Sequence, residues 1–471
     1  MVCTAEGAES FSGNNYSAAP SAGFTLWSTQ DAGVTWADDG ETTGINLSCP
    51  SATSCVAVDY FGHVVVGGIG VLPISGSTYN PVTPYRISDT RAGSGEPNSG
   101  QSIGPLGTLN VQVSGTGTGS DGVPATGATA VALNLTAVAP TRAGYLTAWP
   151  VGLARPVASN LNFTSGQTVA NMVVLPLGAS GQVSIFNGLG STNVVVDVVG
   201  WFGTATGGSS AGQYVTAQSP TRIDDTRIGS GFPSSGMTLA PHGTLTVTGF
   251  SEAPVSGSSA LALNVTVTNA ESPGYLTVYP TGNSRPVASN LNWSAGQTAA
   301  GRVISPTDSS DDVTIYNGSF GTVDVIVDET GWFTNSSGTG GGLFTAMTPA
   351  RITDTRSASG YPNAGNSPAP DNGDVVVAVA GAGVLPNSVP EAAMVNVTAT
   401  GAPAAGYMTV ADANTWSMFA GPPMWSDLNW AGGQTVANST LADVGTDGAI
   451  DVINGSAGPA AAVVDISGWF S

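Results

Sequence analysis

The chain has 471 residues, with 31 acidic side chains against 10 basic ones, a formal net charge of -21, and every basic residue is arginine. A field of that sign repels phosphate backbones and anionic headgroups, which excludes nucleic acid and membrane surfaces as favoured partners. A 41% hydrophobic content excludes general disorder, while 65 Gly, 30 Pro and only 9% charged residues suit many short strands joined by tight turns.

The stretch after Met1 has neither a basic patch nor an apolar run, so no signal peptide is expected within this chain. Thr29 to Trp36 reads T-x-D-x-G-x-T-W. It resembles the Asp-box of sialidase-like and sortilin-like propellers. The resemblance implies that Asp31 caps a hairpin turn, Gly33 permits its dihedrals and Trp36 packs beneath, a folding device remote from chemistry. Cys49 and Cys55, spaced C-x5-C, are expected to close a small disulfide loop in an oxidising compartment, leaving Cys3 over. A propeller needs about four blades, and residues 1–72 supply one or two. A small sheet with open edges is therefore expected, and open edges recruit a further strand from another chain. A truncated leftover is the competing reading.

From Arg86 onward one pattern is written three times. Arg-Ile-x-Asp-Thr-Arg opens at Arg86, Arg222 and Arg351, and Asp-x-x-Gly-Trp-Phe closes at Phe202, Phe333 and Phe470. Runs such as Ala128 to Val138 (ATAVALNLTAV) alternate with period two, and helical periodicity appears nowhere at length. The expected fold is all-β: three tandem antiparallel β-sandwiches of roughly seven to nine strands at residues 80–203, 213–334 and 343–471. Gly203 to Gly212 and Asn335 to Gly342 have linker composition, which makes the repeats beads on a string unless their faces dock.

The phrases Gly-Tyr-Leu-Thr, Ser-Asn-Leu-Asn and Gly-Gln-Thr together with Asp-Val-Val-Gly-Trp-Phe resemble tandem modules of secreted actinobacterial proteins. The resemblance covers about four fifths of the chain. It implies export and an accessory role, with no agreed activity to carry over. The third copy departs from the pattern: Arg-Pro-Val-Ala-Ser-Asn-Leu-Asn at Arg155 and Arg285 gives way to a longer stretch, Trp416 to Trp430.

Six of the ten arginines belong to the opening motif, and each pair brackets an aspartate: Arg86, Arg91 with Asp89; Arg222, Arg227 with Asp225; Arg351, Arg356 with Asp354. A further aspartate recurs in the last strand at Asp197, Asp328 and Asp465. Strand periodicity puts Asp197 on one face with Val195, Val199 and Trp201, where a carboxylate needs a partner. A structural ion pair with a motif arginine is expected, since an unpaired buried charge costs several kcal/mol. A ligand site for an acidic or sugar partner is the competing use. Asn160 and Asn290 suit sugar hydroxyls as well as turn backbones, and Trp293 and Trp430, if exposed, would stack on sugar rings. Asn15 and Asn335 are the sequons best placed to carry glycan.

Only His63 and His242 are histidines and neither recurs, so no repeated triad or zinc site is expected. No cofactor is expected, beyond weak calcium binding at Asp308 to Asp312 or Asp371 to Asp374, where acidic surface turns are the plainer reading. The resulting expectation is a non-catalytic extracellular or cell-surface structural protein that self-associates through strand edges into a fibre or cell-wall assembly. A carbohydrate-binding accessory module and a fragment of an Asp-box glycosidase are the alternatives.

Overall fold

The structure, a computed structural model, describes residues 74–471 except 120, 179, 204–210, 248–256, 337–339, 369, 371, 383–384, 386 and 414–423, and before residue 74 the backbone of six strands. The protein is all-β, built of small antiparallel sheets, and divides into two compact units, Met1–Leu72 and Pro73–Ser471. Among the described residues no helix is long and apolar enough to cross a membrane.

In the first unit Asn15–Ser17, Gly44–Ser51, Ser54–Asp59 and Val64–Gly68 form one sheet in that order, and Phe24–Ser28 pairs with Ala37–Thr42. Among the described residues the edge strands Asn15–Ser17 and Val64–Gly68 have one neighbour each. Cys49 and Cys55 lie on paired strands, with their side chains outside the described residues, as are the side chain of Asn15 and the whole of Asp31, Gly33, Trp36 and His63.

In the second unit each repeat contributes two four-stranded arrangements. In repeat 1 the inner strands run Val169–Pro176, Ala128–Val138, Asn193–Gly203, Ile74–Asp89, and the outer strands Leu161–Phe163, Gly144–Pro150, Gln182–Asn187, Thr108–Gln112. Repeats 2 and 3 reproduce both orders. The first strand starts at Ile74, ahead of the expected boundary at residue 80. Its early residues pair with repeat 3, Ser77 with Phe344 and Ile74 with Ala346, so the inner strands of repeats 1 and 3 form one eight-stranded sheet.

The binary pattern explains why each repeat closes on itself. Val131, Leu133 and Leu135 on one inner strand and Val194, Val196 and Val198 on another meet Leu146, Val183 and Ile185 from the outer sheet in one cluster. Each such side chain contributes about 1.5–3 kcal/mol on full burial. Equivalent clusters fill repeats 2 and 3.

The opposite face of the inner strands is buried too. Ala130, Ala132, Ala260, Ala262, Ala346 and Ala392 keep it flat enough for the three inner sheets to approach one another. The shared centre is aromatic: Tyr79 and Phe202 from repeat 1, Tyr214 and Phe333 from repeat 2, Phe344 and Phe470 from repeat 3. Rings from different repeats lie 4.2 Å apart for Phe202 and Phe344, 4.3 Å for Tyr79 and Phe333, and 4.7 Å for Tyr214 and Phe470. Edge and tilted aromatic pairs add to the burial energy. The repeats are therefore docked, and the ends of the segments with linker composition are tied in: Gly212 N donates to Thr334 O and its carbonyl accepts from Tyr79 N, while Gly342 and Tyr214 exchange two backbone bonds.

A β-bulge makes this centre. The pairing of the last strand shifts register between Val198 and Gly200, and the same shift recurs between Ile466 and Gly468. Strict period two would set Trp201 beside Asp197. The extra residue reverses the parity, sending Trp201 into the core of its own repeat and Phe202 into the shared centre. Gly200 is required there because a Cβ would collide with the ring of Tyr79, whose hydroxyl donates to Val199 O at 2.8 Å.

Candidate functional site: the junctions between repeats

The opening motif and the last strand run side by side, which brings four charges into a row in each repeat. In repeat 1, Arg86 Nε donates to Asp197 Oδ1 at 2.8 Å and Nη2 to Oδ2 at 3.2 Å, a two-point pair. Arg86 Nη1 reaches Asp89 Oδ2 at 3.4 Å, and Arg91 holds Asp89 through Nε at 2.9 Å and its own backbone N–H at 3.0 Å. Repeat 2 repeats the row with Arg222, Asp328, Asp225 and Arg227, and repeat 3 with Arg351, Asp465, Asp354 and Arg356. Asp89 and Asp197 are buried and Arg86 nearly so, while Arg91 is 47% exposed, so each row is a neutral alternation of charges that runs from the interior out to the surface.

The carboxylates respond to these surroundings. Burial would raise Asp89, Asp225 and Asp354, yet hydrogen bonds from Arg91, Arg227 and Arg356 hold them below the usual carboxylate range. Burial outweighs the paired arginine at Asp197, Asp328 and Asp465, which rise, Asp328 to about 6.

The same arginines reach the next repeat. Arg86 Nη2 donates to Val287 O at 3.1 Å, and Arg222 Nη2 to Met424 O. A set of amides runs the same way: Asn134 donates to Ser289 O, Asn264 to Ser426 O at 2.8 Å and Asn396 to Ser159 O at 2.7 Å. The contacts thus run from repeat 1 to 2, 2 to 3 and 3 back to 1, a closed head-to-tail ring of the kind that three identical subunits would make.

One junction carries an ion pair that the motifs did not signal. Arg302, fully buried in repeat 2, donates from Nη2 to Asp427 Oδ1 of repeat 3 at 3.2 Å and from Nη1 to Thr330 Oγ1 at 2.6 Å. Asp427 also accepts from Val410 N and Thr440 Oγ1, each at 2.8 Å. Burial lowers Arg302 and raises Asp427, opposed by their mutual attraction. The signal was present in the alignment of the copies: Arg302 stands where repeat 1 has Met172, and Asp427 where the others have Asn160 and Asn290.

The residues expected to contact sugar do not line a surface. Asn160 and Asn290 are buried and accept from Ala148 N and Val278 N at 2.7 Å, bracing the outer sheet. Trp293 and Trp430 are 4% exposed, and each indole N–H donates at 2.9 Å to a backbone carbonyl, Ser272 O and Ala404 O. Core packing claims these rings, so the sugar-contact expectation is withdrawn for all four. Asn335 is part-buried beside Ser258. Asp308 spends its carboxylate on its own turn, accepting from Ser310 N and Asp312 N, and no group of three or more metal-ligating side chains occurs among the described residues.

What is open lies between repeats. A cleft of about 390 Å³ at the junction of repeats 1 and 2 is lined by Arg86, Arg91 and Arg285 with Tyr275, Val287 and Asn292. Its counterpart of about 350 Å³ at the junction of repeats 3 and 1 is lined by Arg351, Arg356 and Arg155 with Tyr145, Val157 and Asn162. The guanidinium of Arg155 sits over the Phe186 ring, 3.7 Å from its centre, and that of Arg285 over Tyr316 at 4.1 Å.

No family model matches this chain, and no curated protein does. Among solved structures it is similar to a chain of "The Triple Jelly Roll Fold and Turret Assembly in an Archaeal Virus", with 9% identity over 84% of this chain and 91% of that one and a TM-score of 0.15. It is also similar to a chain of "Life in the extremes: atomic structure of Sulfolobus Turreted Icosahedral Virus", with 10% identity over 91% and 90% and a TM-score of 0.16.

Proposed function

We propose that this chain is a non-catalytic structural protein of the cell exterior: three β-sandwiches locked into one block, with a small leader sheet that recruits further copies into a surface or cell-wall assembly. The observation that carries the reading is where the repeated polar residues go. Twelve charged motif residues are spent on ion pairs within repeats, and two of the arginines reach onward to the next repeat. Residues that recur because they hold a ring together leave no repeated acid and base free to act on a substrate. The resemblance to secreted modules and the absence of lysine from a strongly acidic surface fit an exported, soluble block.

Assembly is assigned to the leader because its edge strands offer unpaired backbone groups to another chain. Electron microscopy and sedimentation of the full chain across a hundredfold concentration range test this. The reading expects ordered oligomers or fibres that grow with concentration; monomers throughout would contradict it.

A further inference from the structure

We propose that the clefts between repeats 1 and 2 and between repeats 3 and 1 each bind a carboxylate-bearing sugar, and that the junction of repeats 2 and 3 does not. The inference stands apart from the assembly role, since a monomer would bind equally well.

The charge is the first ground. Each cleft is lined by three arginines and no acidic residue, on a chain whose net charge is -21. Two of the three are balanced by the aspartates behind them, so the surplus of one positive charge comes from Arg155 or Arg285. That surplus suits a single carboxylate better than a polyphosphate.

The donors are the second ground. Arg86 and Arg351 have their guanidinium groups committed to aspartates, and Arg86 to Val287 O besides. Arg155 makes no hydrogen bond among the described residues, and its contact with the Phe186 ring holds the guanidinium in the cleft with its donors available. Arg285 is held in the same way over Tyr316, giving only Nη1 to Tyr275 Oη at 3.3 Å. A planar guanidinium held on an aromatic ring beside Arg91 or Arg356 is suited to two-point carboxylate capture.

The remaining lining is the third ground. Asn162 and Asn292 each accept from a neighbouring serine hydroxyl, at 3.2 Å and 3.3 Å, leaving the amide N–H₂ for a ligand. Threonines Thr136 and Thr168 in one cleft and Thr398 and Thr435 in the other line the opposite wall. Val157 and Val287 are 67% and 79% exposed, apolar ledges beside a tyrosine, against which the C–H face of a sugar ring packs. Both volumes fall at the small end of ligand pockets, roughly 300–1,000 Å³.

Repeat 3 supplies the internal contrast. Between Tyr407 and Ser426 the sequence of repeat 3 holds no arginine to match Arg155 and Arg285, and Ile453 stands where the other repeats have Phe186 and Tyr316. Arginine and its aromatic platform are lost together, which marks them as one device that serves the other two junctions.

Isothermal titration of the full chain with trigalacturonate at low salt, against maltotriose and inorganic phosphate, is the test. The proposal expects two equivalent sites per chain for trigalacturonate and at least tenfold weaker binding of both comparison ligands. Arg155→Ala and Arg285→Ala each should reduce the count to one and the double variant to none, with unchanged melting temperature, because both side chains are exposed. No binding, three sites, equal binding of maltotriose, or tighter binding of phosphate would overturn it, as would a double variant that binds normally.

Discussion

The junction between repeats 1 and 2 and the junction between repeats 2 and 3 are built on the same frame and filled differently. Both use a motif arginine to a backbone carbonyl, Arg86 to Val287 and Arg222 to Met424, and both use an inner-strand asparagine, Asn134 to Ser289 and Asn264 to Ser426. At the centre of the first, Met172 occupies the position held by Arg302 in the second, and Asn290 that held by Asp427. The second junction therefore places a fully buried charge pair where the first has a thioether and an amide. A buried pair offers little net stability over neutral side chains, but a lone member of it is costly. The pair makes the two partners depend on each other, and it distinguishes one junction of a near-symmetric ring from the other two.

Breaking that pair should give the largest effect. Arg302→Met and Asp427→Asn, each alone, are expected to lower unfolding free energy by about 3–5 kcal/mol, because each leaves a buried charge without its partner. The double variant restores the chemistry of the first junction and should recover most of the loss in denaturant titration. Additive losses in the double would sink the claim that the two positions changed together. Asp197→Ala, which strips Arg86 of its two-point partner, is expected to cost about 3 kcal/mol by the same measurement, against little for an exposed acid. Unaltered stability would mean that the row of charges does not lock the repeat.

The shared part of the comparison is tested by the ring of amides. Asn134→Ala, Asn264→Ala and Asn396→Ala each leave a junction carbonyl without its donor and should cost roughly 1–3 kcal/mol, alike at all three junctions. A loss at only one would show that the others are held by different contacts.

A separate effect concerns pH. Burial and the nearby Asp412 push Asp443 to about 7, and burial with Asp374 and Asp447 pushes Asp451 to about 7. Both sit above the unfolded carboxylate value of about 4, so the folded state holds their protons longer, and the associated stability is lost as pH rises from about 4 through 7. Asp89, Asp225 and Asp354, held low, lose theirs only as pH falls below about 4. Melting temperature should therefore be higher at pH 5 than at pH 8, and Asp443→Asn with Asp451→Asn should flatten the slope. A melting temperature that climbs from pH 5 to pH 8 would contradict the assignment.

How much of this was written in the sequence depends on whether a residue's partner lies in its own repeat. The all-β character followed from alternating runs and turn residues, because strand periodicity is local. The need of Asp197 for a cation was legible because a carboxylate among valines has few solutions. The shared aromatic centre was hidden, since the bulge at Val198 to Gly200 reverses strand parity and nothing in Asp-Val-Val-Gly-Trp-Phe announces it. Asn160, Trp293 and Trp430 misled for a related reason: amides and indoles that brace turns have the same letters as those that bind sugars, and burial alone separates them. The clefts were out of reach because Arg155 faces Arg356 only after the third repeat folds back on the first.

The central claim is that three repeats share one core and behave as a single body. Hydrogen exchange of the full chain, compared with its Phe333→Ala variant, tests it most directly, since Phe333 belongs to repeat 2 while its ring touches Tyr79 at 4.3 Å and Phe470 at 6.1 Å. The account predicts that the amides of the last inner strands in repeats 1 and 3 lose protection along with those of repeat 2. Loss confined to repeat 2, with the other two unchanged, would contradict it.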